Sequence, residues 1–413
     1  MILVKIEDIR ARLLLDIEKL RSPEGYLKAG YPNYHSLFGR DSLLSSWQTL
    51  SIDPGIAKAT LCTLAALQAK TADAVKDAAV GAILHELRSP EEQQKIPHWR
   101  WPYYGSIDAT PLFLMVAEKY LTVTGDTKTL YEIWPMITLG VWWHLNNASR
   151  NPYGFLTYQR QNPNGLFHQA WKDSMTDHLK ITPPVAIVEV QGYAYCAMQA
   201  YLSMHRLLLG EKIPVLYSRE IEHLLQALRG NLIFQFWRED EEYFALALDG
   251  EGRQRKAVTS NVGHLLLCGD LLEKRQAEAI VRRLFQKDMW TCGGIRTLSE
   301  SDPDFDPFSY HLGSVWPHDN WMIYKGLLAW GFIKEADALR KALLRAWRAL
   351  GCIPEVYAVS SEEKKGQKIL PLRNISQLQR HLRKLGKRHL VTVDANPLQA
   401  WATGALLNML SEK

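Results

Sequence analysis

Apolar residues recur every three to four positions along most of this 413-residue chain, and very short connections separate the periodic segments. The spacing predicts twelve helices, at about 4–20, 41–51, 54–70, 106–124, 127–148, 187–209, 213–229, 258–273, 275–286, 318–331, 333–350 and 396–411. The connections within 41–51/54–70, 258–273/275–286 and 318–331/333–350 are short enough to force antiparallel helical hairpins. Strands are expected only at GFLTYQR (154–160) and EEYFALALD (241–249). The reading is all-α, with helical hairpins closed into a double ring and a pocket at one end. An open solenoid is the alternative, disfavoured because no sequence period repeats. Both readings treat residues 1–413 as one domain.

Composition narrows the function. Without an N-terminal apolar run with a cleavage site, or an apolar stretch near eighteen residues, neither a secretion signal nor a membrane span is expected. The five scattered cysteines suit a reducing compartment, so a cytoplasmic protein is expected. The net charge of +5 is concentrated: residues 364–389 hold five lysines, four arginines and no acid. The remainder is mildly acidic, which argues against a nucleic-acid-binding face. Fourteen tryptophans, several beside polar clusters, hint at carbohydrate, whose apolar C–H faces stack on aromatic rings.

Polar and aromatic residues collect on loops in four clusters, the usual disposition of a working site on a rigid scaffold. FGRDS brings Arg40 and Asp41 to a helix start, where Asp41 can cap the helix or grip hydroxyls. HWRWPYYGSIDAT carries Trp101, Tyr104 and Asp108. QAWKDSMTD and EVQGYAY carry Trp171, Lys172, Asp173, Glu189, Gln191 and Tyr193. SYHLGSVWPHDNW supplies Trp316, His318 and Asp319, with Glu355 following the next helix. Each aspartate alone can be an N-cap, and each tryptophan a core anchor.

Rival chemistries lack their motifs. There is no HExxH or clustered Cys/His set for a metal, no GxGxxG or P-loop for a nucleotide, and no GxSxG elbow. Neither metal nor organic cofactor is expected. Carboxylates among aromatics remain, which is the equipment of glycoside hydrolysis.

FGRDS, PYYGSIDATPLF, WKDS, VEVQGYAY, SNVGHLL, GIRTLS, YHLGSVWPHDN, IPE and NPLQAWATGALL run in order from residue 35 to the C-terminus. Together they resemble the glucosidase region of bacterial and archaeal amylo-α-1,6-glucosidase (glycogen debranching) proteins, and more distantly glucoamylases and the mannosylglycerate hydrolase group. The resemblance implies a six-hairpin (α/α)6 barrel, with long loops and a small β-hairpin at one end. It implies Asp173 as general acid and Glu355 as general base of an inverting hydrolase that removes a non-reducing α-linked sugar, glucose first. Arg40 and Asp41 would bind sugar hydroxyls. Trp171, Lys172, Glu189, Gln191, Tyr193, Trp316, His318 and Asp319 would line the sugar pocket, with Trp101, Tyr104 and Asp108 nearby. The expected partner is a carbohydrate or small glycoside, and self-association is compatible with the sequence.

Three features depart from the family pattern. Residues 1–413 hold no counterpart of the separate N-terminal domain of many bacterial relatives, so a stand-alone catalytic domain is expected. Asp177 offers a second candidate acid. A basic stretch at about 361–390, with Leu372, Ile375, Leu378, Leu382 and Leu385 at helical spacing, reads as an amphipathic lid. Alternative readings are hydrolysis of a short glycoside with an anionic aglycone such as mannosylglycerate or glucosylglycerate, an inactive sugar-binding barrel, and an epimerase using His311 and His318.

Overall fold

A computed structural model describes residues 4–362, 366–372 and 395–412. Every one of the twelve periodic segments is helical. They are α1 Ile6–Leu20, α2 Gly39–Thr49, α3 Pro54–Ala66, α4 Ala109–Thr124, α5 Thr127–Ala148 and α6 Val188–Leu209. Then follow α7 Ser218–Phe236, α8 Ser260–Leu271, α9 Lys274–Leu284, α10 Pro317–Ala329, α11 Ile333–Leu350 and α12 Ala400–Ser411. Of these, α8 has the tighter 3₁₀ geometry and is broken at Cys268 and Gly269. Local chemistry marks several ends. Asp53 accepts from the Gly55 N–H with Pro54 beginning α3, and Glu273 with Gln276 forms a capping box on α9. Gly125 (φ 65°) and Gly351 (φ 73°) close α4 and α11 in the left-handed conformation that glycine adopts without strain.

The even-numbered helices form a closed inner ring. Each packs on the next, from α2 through α4, α6, α8 and α10 to α12, which returns to α2. Each odd-numbered helix backs its inner neighbour from outside, which makes an (α/α)6 barrel. Burial explains the two layers. Inner helices are buried along most of their length, and α12 is buried from Ala400 through Leu410. Outer helices are amphipathic: α9 buries Ala277, Ile280, Val281 and Leu284 and leaves Arg275 and Arg282 outside. Antiparallel hairpins oblige all six inner helices to run the same way, so their N-termini share one end of the barrel.

The strand expectations need correction. Residues 154–160 hold only an isolated bridge, Tyr158 to Val185. The segment 241–249 divides into two short strands, Tyr243–Phe244 and Ala247–Leu248, in different small sheets. A longer antiparallel hairpin pairs Tyr357–Glu362 with Gly366–Pro371, register Val359 opposite Ile369. The start of the supposed lid is therefore extended rather than helical, because Ala358–Leu370 and Val359–Ile369 place apolar side chains across the strands. Leu372 is buried at its end. Ile375, Leu378, Leu382 and Leu385 lie outside the described residues. Among the described residues no helix is long and apolar enough to cross a membrane.

Close inner-ring packing has a measurable consequence. A Cβ on Gly326 of α10 would collide with the Leu266 Cβ of α8 and sit 3.0 Å from its backbone. Gly326→Ala should cost about 1–3 kcal/mol in urea denaturation, the range for overpacking. Gly230→Ala on outer helix α7 meets nothing within 4 Å and should be neutral or stabilising by up to about 1 kcal/mol.

Candidate active site

The N-terminal turns of the inner helices carry the unusual residues that the sequence singled out. Arg40 and Asp41 open α2, Glu189 opens α6, Asn261 opens α8, His318 and Asp319 open α10, and Trp401 opens α12. Asp108 immediately precedes α4. At this end a cavity of about 790 Å³ is lined by Asp41, Trp171, Asp173, Tyr310, Trp316 and Glu355, among others. Trp316 stands edge-on to Trp171 at 5.7 Å and to Tyr310 at 4.7 Å. With Trp401 these rings supply apolar walls between the carboxylates.

Arg40 is the electrostatic centre. Only 2 % exposed, it donates from Nε to Asp108 Oδ2 at 3.0 Å and from Nη1 and Nη2 to Asp173 Oδ2 at 3.0 and 3.2 Å. Burial nevertheless raises Asp173 to about 6, against the pull of Arg40 and with help from the Asp108 charge. Its side chain keeps 30 % exposure, so solvent partly screens that ion pair.

Glu355 is more enclosed. Tyr310 donates its hydroxyl to Oε1 at 2.5 Å, and the Asn396 N–H donates to Oε2 at 2.9 Å. Burial outweighs both donors and lifts the carboxyl to about 8, with Asp41 and Asp173 adding repulsion. Asp41 reaches about 7, first through burial; Arg40 and a Gln399 hydrogen bond at 3.1 Å oppose the shift. Asp41 makes no capping hydrogen bond, so the cap expectation fails: α2 starts at Gly39, and the Asp41 side chain points to Gln399 and the cavity.

Several expected lining residues sit elsewhere. Asp108 backs Arg40, with Ser106 donating to its other oxygen at 2.6 Å. Gln191 clasps the Leu156 backbone through both ends of its amide. Tyr193 meets His264 at 2.5 Å, and His264 meets Asp319 at 2.8 Å, forming a buried relay. Lys172 is 1 % exposed and donates to the Thr297 carbonyl, while Glu189 accepts from Asn261. His318 stacks on Trp401 at 3.7 Å and is fully covered. These residues support the wall from inside the barrel, because first-turn side chains on parallel helices point at one another as well as at the pocket. Trp101 packs on Trp99 in a satellite cluster, and Tyr104 donates to the Leu67 carbonyl at 2.6 Å. Asp177 is engaged by His168 and the Ile181 N–H and does not line the cavity.

Sequence reasoning gave no role to Tyr34, His85, Glu86, Arg88 or Tyr310, all of which line the cavity. Tyr310 lies inside the SYHLGSVWPHDNW cluster, and Tyr34 stands four residues before FGRDS. Nothing in the sequence links His85, Glu86 and Arg88 to the site. Strand pairing of Leu37–Phe38 with Glu86–Leu87 carries them there. No group of three or more His, Cys, Asp or Glu suited to a metal occurs among the described residues.

A closed double ring of helices with this carboxylate-lined cavity at its N-terminal end is a glycoside hydrolase of the six-hairpin class. Residues 34–365 match the mannosylglycerate hydrolase MGH1-like glycoside hydrolase domain, and the chain belongs to that family. A GH63 mannosylglycerate hydrolase from Thermus thermophilus, in complex with Tris, superposes with TM-score 0.67 at 13 % identity, over 97 % of this chain and 99 % of that one. The same figures hold for an uncharacterized conserved protein from that organism. The hydrolase in complex with Tris and D-glycerate gives TM-score 0.65 at 13 % identity, with the same coverage. No curated protein matches the sequence.

The Arg40 cluster is testable apart from any chemistry. Asp108 is 1 % exposed in its side chain, so Asp108→Ala leaves a buried guanidinium short of one partner. Denaturant unfolding should show a loss of about 3–5 kcal/mol. A loss under about 1 kcal/mol would mean that Asp173 alone neutralises Arg40.

Proposed function

We propose that this protein hydrolyses a short α-linked glycoside with inversion at the anomeric carbon, releasing a terminal sugar, glucose in the first instance. The observation that carries this reading is the meeting of Asp173 and Glu355, from loops far apart in the chain, on one aromatic-walled cavity. Its volume of about 790 Å³ suits a ligand of a few rings held in a pocket.

In the proposed mechanism Asp173 gives its proton to the glycosidic oxygen as that bond breaks. Glu355 takes a proton from the water that attacks the opposite face of the sugar. Both Glu355 oxygens already receive hydrogen bonds, from Tyr310 and Asn396, which supports an acceptor role and fixes the carboxylate toward its water. Arg40, donating to Asp173, stabilises the carboxylate left when the proton departs. Inversion requires the two carboxyl groups to stand roughly 6.5–9.5 Å apart to admit water.

Between about 6 and about 8 the pair shares one proton, and without substrate it resides mainly on Glu355. Catalysis needs it on Asp173, so the productive form is the minority tautomer of the singly protonated pair. Below about 6 both groups are protonated and the base is lost; above about 8 both are ionised and the acid is lost. A plot of kcat/KM against pH should therefore be bell-shaped, with limbs near these two values. Activity rising monotonically from about pH 5 to about pH 9 would contradict it.

Asp173→Asn and Glu355→Gln should each lower kcat about 10²–10⁴-fold with the fold intact by circular dichroism. Proton NMR in the first minutes should show the β-anomer released from an α-linked substrate. Early α-anomer would mean a covalent retaining route.

A second reading, hydrolysis of a glycosylglycerate, draws on the family match and on the D-glycerate bound by the solved Thermus thermophilus hydrolase. Arg88 lines the cavity and, although paired with Glu86, could meet an anionic aglycone. Released sugar measured across glucosyl disaccharides, mannosylglycerate and glucosylglycerate separates the two. Turnover confined to the glycerates, with KM raised by Arg88→Gln, selects the second.

A further inference from the structure

A second cavity, of about 490 Å³, shares no lining residue with the first. The two are neighbours through one loop: Gln169 lines the second, Trp171 and Asp173 the first. They are also joined by hydrogen bonds. Ser106, which lines the second cavity, donates to Asp108; Arg40 bridges Asp108 to Asp173.

Its lining combines three kinds of recognition group. Two guanidinium groups, Arg150 and Arg160, line it, and neither has a carboxylate partner among the described residues. Arg160 spends one N–H on the Gly165 carbonyl and lies over the Phe167 ring at 5.3 Å, leaving donors to spare. The one lining acid, Asp77, leaves the lining with a net charge of +1, and its oxygens already accept from the Gln161 and Asn162 N–H groups and the Tyr103 hydroxyl rather than from either guanidinium. Side-chain amides come from the exposed Gln159 and the buried Gln169. The latter makes only a 3.5 Å contact, through Nε2 to the Leu166 carbonyl. Trp143 and Tyr104 add buried aromatic surface.

Guanidinium forks match phosphate and carboxylate oxygens, amides match hydroxyls, and aromatic faces match sugar C–H groups. A neutral sugar would leave both cations unused, and an apolar ligand would strand the amides. We propose that this cavity binds a small hydroxylated anion, a sugar phosphate or sugar acid, at a site separate from the hydrolytic pocket and three hydrogen bonds from Asp173. The binding claim is independent of the catalytic assignment.

Isothermal titration with glucose 6-phosphate, gluconate, inorganic phosphate and glucose tests it directly. One equivalent of glucose 6-phosphate or gluconate should bind, at least about tenfold tighter than glucose, since charge-assisted hydrogen bonds are the difference. Which of the two binds better identifies phosphate or carboxylate as the charged group. Inorganic phosphate binding as tightly as glucose 6-phosphate would remove the sugar from the proposal. Arg150→Gln with Arg160→Gln should weaken binding at least about tenfold, and Arg88→Gln should leave it unchanged. Should the double variant fail to fold, Gln159→Glu, an exposed change that adds negative charge to the cavity, should weaken binding in the same direction. Undiminished binding in these variants, loss in Arg88→Gln, equal affinity for glucose, or no heat with either sugar anion would each overturn the proposal.

Discussion

The seam between the last inner helix and the first makes the ring a ring. α12 lies along α2, with the Asn408 amide donating to the Gln48 carbonyl at 3.0 Å while its oxygen takes the Trp321 indole N–H at 2.8 Å. Just before α12, Gly30–Tyr31 pairs with Leu398–Gln399. Each hydrogen bond contributes only about 0.5–1.5 kcal/mol, but closure buries both flanks of every inner helix. It also completes the site. Gln399 reaches Asp41 only because α12 returns to α2, and the same segment carries the Asn396 N–H to Glu355.

Closure dictates the electrostatics too. Six inner helices running one way present six N-termini to the pocket end, and helix N-termini favour negative charge. Burial drives the other way: Asp41, Glu86, Asp173 and Glu355 are all raised, each chiefly because it has lost water. The buried cation Arg40 mediates between these tendencies. Asp108, fully covered behind it, offsets the cost of burying a guanidinium. Asp173 can therefore come and go as an ion without leaving Arg40 unpaired.

The same Arg40–Asp108 pair gives the molecule its internal geography. On one side lie the aromatic walls and the carboxylates of Asp173 and Glu355. On the far side, past Ser106, lies a cavity with a surplus of guanidinium groups. A pocket rich in carboxylates and a pocket rich in cations, divided by one loop, would select ligands of different charge.

Much of the architecture was legible in the chain. Twelve periodic segments gave twelve helices, since apolar spacing decides which face of a helix is buried before any partner is known. The loop clusters gave Arg40, Asp41, Trp171, Asp173, Trp316 and Glu355, which the structure gathers at one place. What the spacing could not say is which neighbour each polar side chain would choose. Asp41 reads as a helix cap and meets Gln399 instead; Gln191 and Lys172 read as pocket residues and bond to backbone. Residues 154–160 have the composition of a strand but no continuous partner, and a strand needs one. Helical periodicity is a local property, carried by residues three and four apart. Hydrogen-bond choice and proton affinity depend on groups tens to hundreds of residues away, which only the packed ring brings together.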